Sequence, residues 1–311
     1  MKYPLIKSFG VAALAAAVAA CGGSGSGSDD STDSESTGTM SLGLTDAPVT
    51  DLAVAQLNIT SVEVKPAEAD SVSIELETPV DINLLDFQGG KVAQLFEGQE
   101  FPAGQYEWIR LHLGEDPYVV EASDPNQTQE FLFLPSGPQT GLKLNGGFVI
   151  PAGGSADFTI DFDVKKSIFN AGGEGSGNNK YMLKPAHRLV DNVEAGAIVG
   201  EVDVVNLEQQ LGCDVDDEYY GSVYVYEGAD VTPTDLNVTA EDEGPLVAVS
   251  VTNEDNASLY SYKAAFLTEG DYTISYTCQP DDNETSETLE FVGTQNVTVT
   301  AGEEIPAVRI E

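Results

Sequence analysis

A chain of 311 residues with 52 acidic against 13 basic side chains, and a formal net charge of −39, repels nucleic acid and anionic lipid headgroups. Its 41% apolar content is ample for buried cores, and its length is long for one sandwich and comfortable for two domains. Beyond the first twenty residues no apolar run approaches the roughly 20 residues that a transmembrane helix needs.

In chain order, Lys2 and Lys7 form a positive region, and Val11 to Ala20 form an apolar run too short to span a bilayer. Val18-Ala19-Ala20-Cys21 closes that run with small residues before a cysteine. The arrangement resembles a bacterial lipoprotein signal. The resemblance implies removal of residues 1–20, lipidation of Cys21, and a mature chain tethered by lipid outside the cytoplasm. Gly22 stands where inner-membrane retention favours Asp. By the same resemblance, the expected location is the outer membrane, on its periplasmic or its exposed side. Cleavage takes the formal charge from −39 to −41, because it removes Lys2 and Lys7 and no acid.

Residues 22–39 contain no large apolar side chain and are expected to form a disordered acidic Gly/Ser linker. Eighteen such residues have a root-mean-square span of roughly 23 Å. From Met40 the pattern changes to period-two alternation, the mark of half-buried antiparallel strands. Leu57–Val64, Val72–Leu76, Tyr106–Leu113, Phe131–Leu134 and Ala156–Val164 read as strands, and Lys91–Phe96 as the one short helix. Composition then shifts near residue 194. Residues 195–311 hold 25 acids, two bases and eight of the 12 tyrosines. The expected domains are therefore 40–194 and 195–311. In the second, strands are expected at Ala197–Val205, Ser222–Tyr226, Leu246–Val251, Leu259–Phe266, Tyr272–Cys278 and Pro306–Ile310, with Thr288–Thr300 as two strands meeting at Gly293. The fold class is all-β, two sandwiches.

Two resemblances follow from these segments. Ser41-Leu42-Gly43-Leu44-Thr45-Asp46-Ala47-Pro48, Ile59–Val64, Asn83-Leu84-Leu85-Asp86, Pro102–Leu113, Asp161-Phe162-Asp163 and Leu183-Lys184-Pro185, in that order, resemble the bacterial lipoprotein family catalogued as domain of unknown function 4382. That family implies an extracytoplasmic β-rich module and brings no activity. Gly104-Gln105-Tyr106 and Gly270-Asp271-Tyr272 each lead into a strand, as in transthyretin-like, carboxypeptidase-regulatory-like sandwiches. For the second domain this resemblance implies a carbohydrate-binding-like fold, in which some members bind glycans and many serve as spacers.

Few residues carry chemistry. Cys213 and Cys278, alone in an extracytoplasmic domain, are expected to form a disulfide, with two separate buried thiols as the alternative. His112 and His187 are the only histidines and read as surface residues. Asp161 and Asp163, two apart on one strand, share a face that Lys165 continues. They read as a surface ladder, but could bind calcium or flank a glycosidic bond in a carboxylate-dependent hydrolase. Asp214, Asp216 and Glu218 begin like a calcium loop but lack its glycine and distal glutamate, as Asp281-Asp282-Asn283-Glu284 does more weakly. Calcium is the one cofactor considered, and none is required. Tyr224 and Tyr226 share a strand face that, if exposed, could stack on sugar rings, although core packing is the simpler account. The expected function is non-enzymatic: a cell-envelope lipoprotein displaying two sandwiches in a structural or binding role. Its partners are a membrane through the lipid anchor, and a glycan or an envelope protein, with no nucleic acid.

Overall fold

The structure, a computed structural model, describes residues 36–47, 51–114, 116–135, 141–170, 181–184, 187–213, 219–238, 244–253 and 260–311. Its first strands are β1 (Thr37–Ala47), β2 (Leu52–Pro66) and β3 (Val72–Asn83), followed by a 3-10 turn at Leu84–Phe87. Then come β4 (Ala93–Pro102), β5 (Gly104–Leu113), β6 (Tyr118–Glu121), β7 (Glu130–Phe133), β8 (Leu142–Ile150) and β9 (Ser155–Asp163). The short helix α1 (Val164–Ser167) leads to β10 (Ile168–Asn170), β11 (Tyr181–Leu183) and β12 (His187–Asp191). Strand β1 begins inside the segment read as linker, because Thr37 and Thr39 pair with β4 and Thr39 also pairs with β9. Lys91–Phe96 is not a helix; its second half enters β4, where Ala93 and Leu95 face the core.

These strands make two sheets, one in the order β12-β9-β1-β4 and an eight-stranded one built around β2. The 15-residue length of β2 lets one edge serve two partners, β6 along Leu52–Gln56 and β5 along Ile59–Pro66, while β3 takes the other edge. Its alternation places Leu57, Ile59, Val62 and Val64 in the core, where they meet Leu42, Leu44, Ile109, Leu111, Ile160 and Phe162. Period-two patterning thus dictates the stacking, since each sheet must bury its apolar face against the other.

The second set comprises β13 (Ala195–Val202), α2 (Val204–Leu211), β14 (Ser222–Glu227), β15 (Val247–Ser250), β16 (Tyr260–Thr268), β17 (Gly270–Thr277), β18 (Val292–Val299) and β19 (Glu304–Pro306). Sheets β16-β13-β19 and β15-β14-β17-β18 enclose a core of Ile198, Val223, Val225, Ala264, Ile274, Tyr276 and Val299. Among the described residues, no strand from β1–β12 shares a sheet with one from β13–β19. Thr288–Thr300 does not form two strands. The single strand β18 begins at Val292, and the ladder is irregular beside Gly293, whose φ of +65° marks a bulge rather than a turn. Helix α2 escaped the strand pattern altogether. Asp203 caps its start through a side-chain bond to Asn206 N, and Gly212 ends it at a φ of +68°.

Cys213, just past that end, is bonded to Cys278 at the end of β17, with Cα atoms 6.0 Å apart. The bond closes a separation of 65 residues, so the chain-entropy account assigns it about 4 kcal/mol. Replacing both cysteines by alanine should lower the denaturant midpoint accordingly and make it insensitive to reductant. Gly221 holds φ +84° immediately before β14, and a Cβ there would lie 2.6 Å from the Thr277 carbonyl oxygen and the Tyr276 ring. Gly221→Ala should therefore cost more than ~1 kcal/mol in the same measurement, against no comparable loss for an alanine at exposed Gly146, which meets nothing and has no left-handed backbone.

Candidate functional site at the junction of the two sandwiches

Strand β9 ends at Asp163, whose carboxylate accepts from Lys166 N at 3.1 Å and starts α1. This cap turns the chain so that two successive lysines reach the second sandwich. Lys166 Nζ donates to the carbonyls of Pro245 and Leu246 at 2.7 and 2.6 Å. Lys165 Nζ pairs with Asp281 Oδ2 at 3.3 Å, and the Asp281 side chain is only 1% exposed. The same oxygen accepts from Leu236 N at 3.1 Å and from the Tyr224 hydroxyl. Around this centre, Asn283 Nδ2 donates to the Lys165 carbonyl, and Asn170 N donates to Glu284 Oε1 at 2.6 Å. Lys165 also stands 5.9 Å from the centroid of the Tyr224 ring.

The electrostatics follow from burial. Desolvation first, then the Asp281 charge, push the Tyr224 phenol far above its ordinary range, so it remains a donor. Desolvation raises the Asp163 carboxyl, and Lys166 works against that rise. A carboxylate buried this deeply is tolerable only with cation and hydrogen-bond partners, and Asp281 has both at Oδ2, while its buried Oδ1 has no hydrogen-bond partner among the described residues.

Beside the junction a cleft of about 450 Å³ opens between Leu85–Lys91 of the first sandwich and Val199, Thr252, Ser261 and Lys263 of the second. That volume falls in the small-molecule range, and hydroxyl, amide, carboxylate and ammonium groups line it, from Ser261, Gln88, Asp86 and Lys263 among others. Thr45 Oγ1 secures the near wall, 2.9 Å from Phe87 O and 2.7 Å from Lys91 O.

The structure corrects several expectations. Asp161 and Asp163 do not form a ladder with Lys165, because the strand ends at Asp163 and Lys165 leaves for Asp281. Asp161 pairs with Arg188 across β9 and β12, while Asp163 is the cap bonded to Lys166. The cavity that Asp161 lines with Thr45 and Asp46 measures about 20 Å³, room for a water and not for a sugar ring. Both carboxylates are engaged by cations, Asp161 by Arg188 and Asp163 by Lys166.

Tyr224 and Tyr226 present no sugar platform either, being 0% and 2% exposed. Both faces of β14 are covered. Val223 and Val225 enter the sandwich core, and the tyrosines pack under Leu236, Val231, Val238, Leu289 and Phe291 in a second small core. The Tyr226 hydroxyl donates to Thr234 O at 2.6 Å. Asp282 Oδ1 accepts from Glu284 N at 3.0 Å within its own loop, while the Glu284 carboxylate is taken by Asn170 N. His187 is half-buried against Phe162, and burial lowers its pKa, so it is neutral at pH 7. His112 stays on an outer face, 3.0 Å from Glu63. Cys21 and the calcium candidates Asp214, Asp216 and Glu218 lie outside the described residues. Among the described residues no three acidic, histidine or cysteine side chains gather as a metal site would require. None of their helices is long and apolar enough to cross a membrane.

The junction itself was missed by sequence reasoning. Its one signal was Lys165-Lys166, adjacent bases in a chain that has few.

Comparison with known proteins bears on the first sandwich. Similarity to solved structures is low: a leucine-rich repeat protein from Bacteroides thetaiotaomicron (12% identity, 88% of this chain and 26% of that one, TM-score 0.23), a putative adhesin from Bacteroides ovatus (12%, 89% and 93%, 0.21), and BcpA, the major pilin subunit of Bacillus cereus (10%, 88% and 99%, 0.20). The chain spans only 26% and 34% of the first of these and of the Bacillus anthracis TIE protein. TM-scores this low carry no conclusion about activity. No curated protein matches the chain. Residues 37–185, which run from β1 to just past β11, match the family described as Domain of unknown function (DUF4382).

Proposed function

We propose that this chain is a non-catalytic envelope lipoprotein, anchored at the outer membrane through Cys21, that presents two sandwiches in one fixed mutual orientation for a structural or binding role. The observation that carries the reading is the buried contact of Lys165 with Asp281. A display protein needs its modules held, and here a carboxylate from the second sandwich is neutralised by a lysine from the first. Separating them would strand the Asp281 charge against Tyr224 and Leu236, at a cost of about 3–5 kcal/mol by the behaviour of other buried pairs. The signal-like residues 1–20 and the small-residue approach to Cys21 support the anchor. Gly22 to Ser36, without a large apolar side chain, supply the reach from lipid to β1.

Two experiments test this reading. Labelled palmitate should enter the wild-type protein and not Cys21→Ala, and fractionation should move Cys21→Ala from the membrane to the soluble pool. Equal labelling, or a wild-type protein recovered wholly as soluble, would overturn the anchor. Calorimetry should show one cooperative transition for the wild type. In Asp281→Ala the sandwiches should melt in two steps, and a Lys165–Asp281 double-mutant cycle should return a coupling of about 1–3 kcal/mol. Additive single mutants with unchanged cooperativity would remove the fixed orientation from the proposal.

A further inference from the structure

Trp108, the only tryptophan of the chain, is turned out of the core by a bulge. The ladders of β5 with β2 and with β8 both slip between Tyr106 and Trp108. As a result Tyr106 faces inward, stacked on Phe148 at 4.9 Å, while Trp108 joins Arg110 and His112 on the outer face of the eight-stranded sheet. Bulges commonly re-aim side chains in this way near functional sites. A large aromatic group that could have filled the core is instead half-exposed.

Its surroundings are unusual for so acidic a protein. Arg110 Cζ lies 4.6 Å and Lys143 Nζ 4.8 Å from the indole centroid. Register across β2, β5 and β8 puts Lys65, Trp108 and Asn145 in one row and Glu63, Arg110 and Lys143 in the next. Only Glu63 offsets the cations of these rows. Burial works to raise its pKa, but hydrogen bonds from Ser71, His112 and Arg110 win and hold it below the ordinary carboxylate range. Glu63 takes only Nη1 of Arg110, and Arg110 Nε is buried with no hydrogen-bond partner. Lys143 is exposed, and its ammonium rests against the indole.

We propose that this face binds an anionic glycan whose sugars carry carboxylates. The indole, already fixed by two cations, offers an aromatic surface to the apolar side of a sugar ring at little entropic cost. Lys143 supplies the charge for the carboxylate, and the Asn145 amide is placed beside it for hydroxyls. The open sheet face suits a polymer lying across it, whereas peptides are more often taken at strand edges or in grooves. The inference goes beyond the proposed role, which depends on Cys21 and the junction and not on this face.

The net charge of −39 adds a distinctive expectation. At about 10 mM salt the Debye length is near 30 Å, and the whole protein repels a polyanion. At about 150 mM it is near 8 Å, and the local patch decides. Binding should therefore rise and then fall with ionic strength, unlike the steady fall for a basic protein. Because Trp108 is the sole tryptophan, its fluorescence reports on the site directly. Titration of the full-length protein with oligogalacturonate at about 150 mM salt should shift the emission, and the methyl-esterified oligomer should not. Lys143→Glu, a change at an exposed position, should weaken binding at least tenfold while leaving the melting temperature within a degree or two. Trp108→Phe, followed calorimetrically, should weaken it less. Four results would overturn the proposal: no shift at millimolar oligomer, equal binding by Lys143→Glu, equal binding of the esterified form, or polyglutamate binding as tightly as the uronate.

Discussion

The Asp281 carboxylate is the contact on which the arrangement of this molecule rests. It is almost fully buried, and its partners come from three separate stretches of chain: Lys165 after β9, Tyr224 in β14, and the backbone of Leu236. An ionised carboxylate in such a place is costly alone and acceptable only when cation and donors converge. Each partner is therefore held in turn. Lys165 is placed by the Asp163 cap, Tyr224 by its strand, and Leu236 by the segment that also receives the Tyr226 hydroxyl at Thr234. Loss of one group leaves the others with unmet polar atoms, so the junction behaves as a unit rather than as a sum of bonds.

That contact explains why β14 has no solvent face. In a simple sandwich, tyrosines opposite Val223 and Val225 would stand in water. Here the segments around 231–238 and 281–291 fold over them, and Asp281 arrives with the second of these. Tyr224 thus does two jobs. Its ring meets Phe291 edge-on at 5.2 Å, and its hydroxyl satisfies the junction carboxylate.

The all-β architecture was legible because alternation is a local signal, and β2, β5, β9, β14 and β17 carry it plainly. Their ends were less so. Strand β1 starts among small polar residues, where only pairing to β4 and β9 reveals it. Helix α2 rests on a cap and a glycine stop rather than on a long apolar stripe. The cysteine pair followed from number and from the compartment that the leader-like residues led one to expect. The exposure of Tyr224 and Tyr226 could not be read from alternation, which says that two faces differ but not what covers each. Lys165 misled for a related reason: equal parity with Asp161 and Asp163 implies one face only while the strand continues, and it ends at Asp163. Trp108 is the converse, a residue whose outward direction depends on a bulge that pairing alone discloses.

Scarcity makes the basic residues the most informative side chains in this protein. With 13 Lys and Arg against 52 acids, almost any exposed base could find a carboxylate. Four of the described ones do so within their own sandwich: Arg110 with Glu63, Arg188 with Asp161, Lys263 with Glu304 and Arg309 with Asp203. Surface pairs of this kind contribute little to stability, and their placement mostly relieves local repulsion. Lys165 and Lys166 depart from that pattern by crossing to the second sandwich, where burial makes their contacts matter. Lys143 departs in another way, resting on an aromatic ring while acids abound elsewhere. Where charge attraction would draw every cation to a carboxylate, a lysine left on an indole is a group still available to an incoming anion.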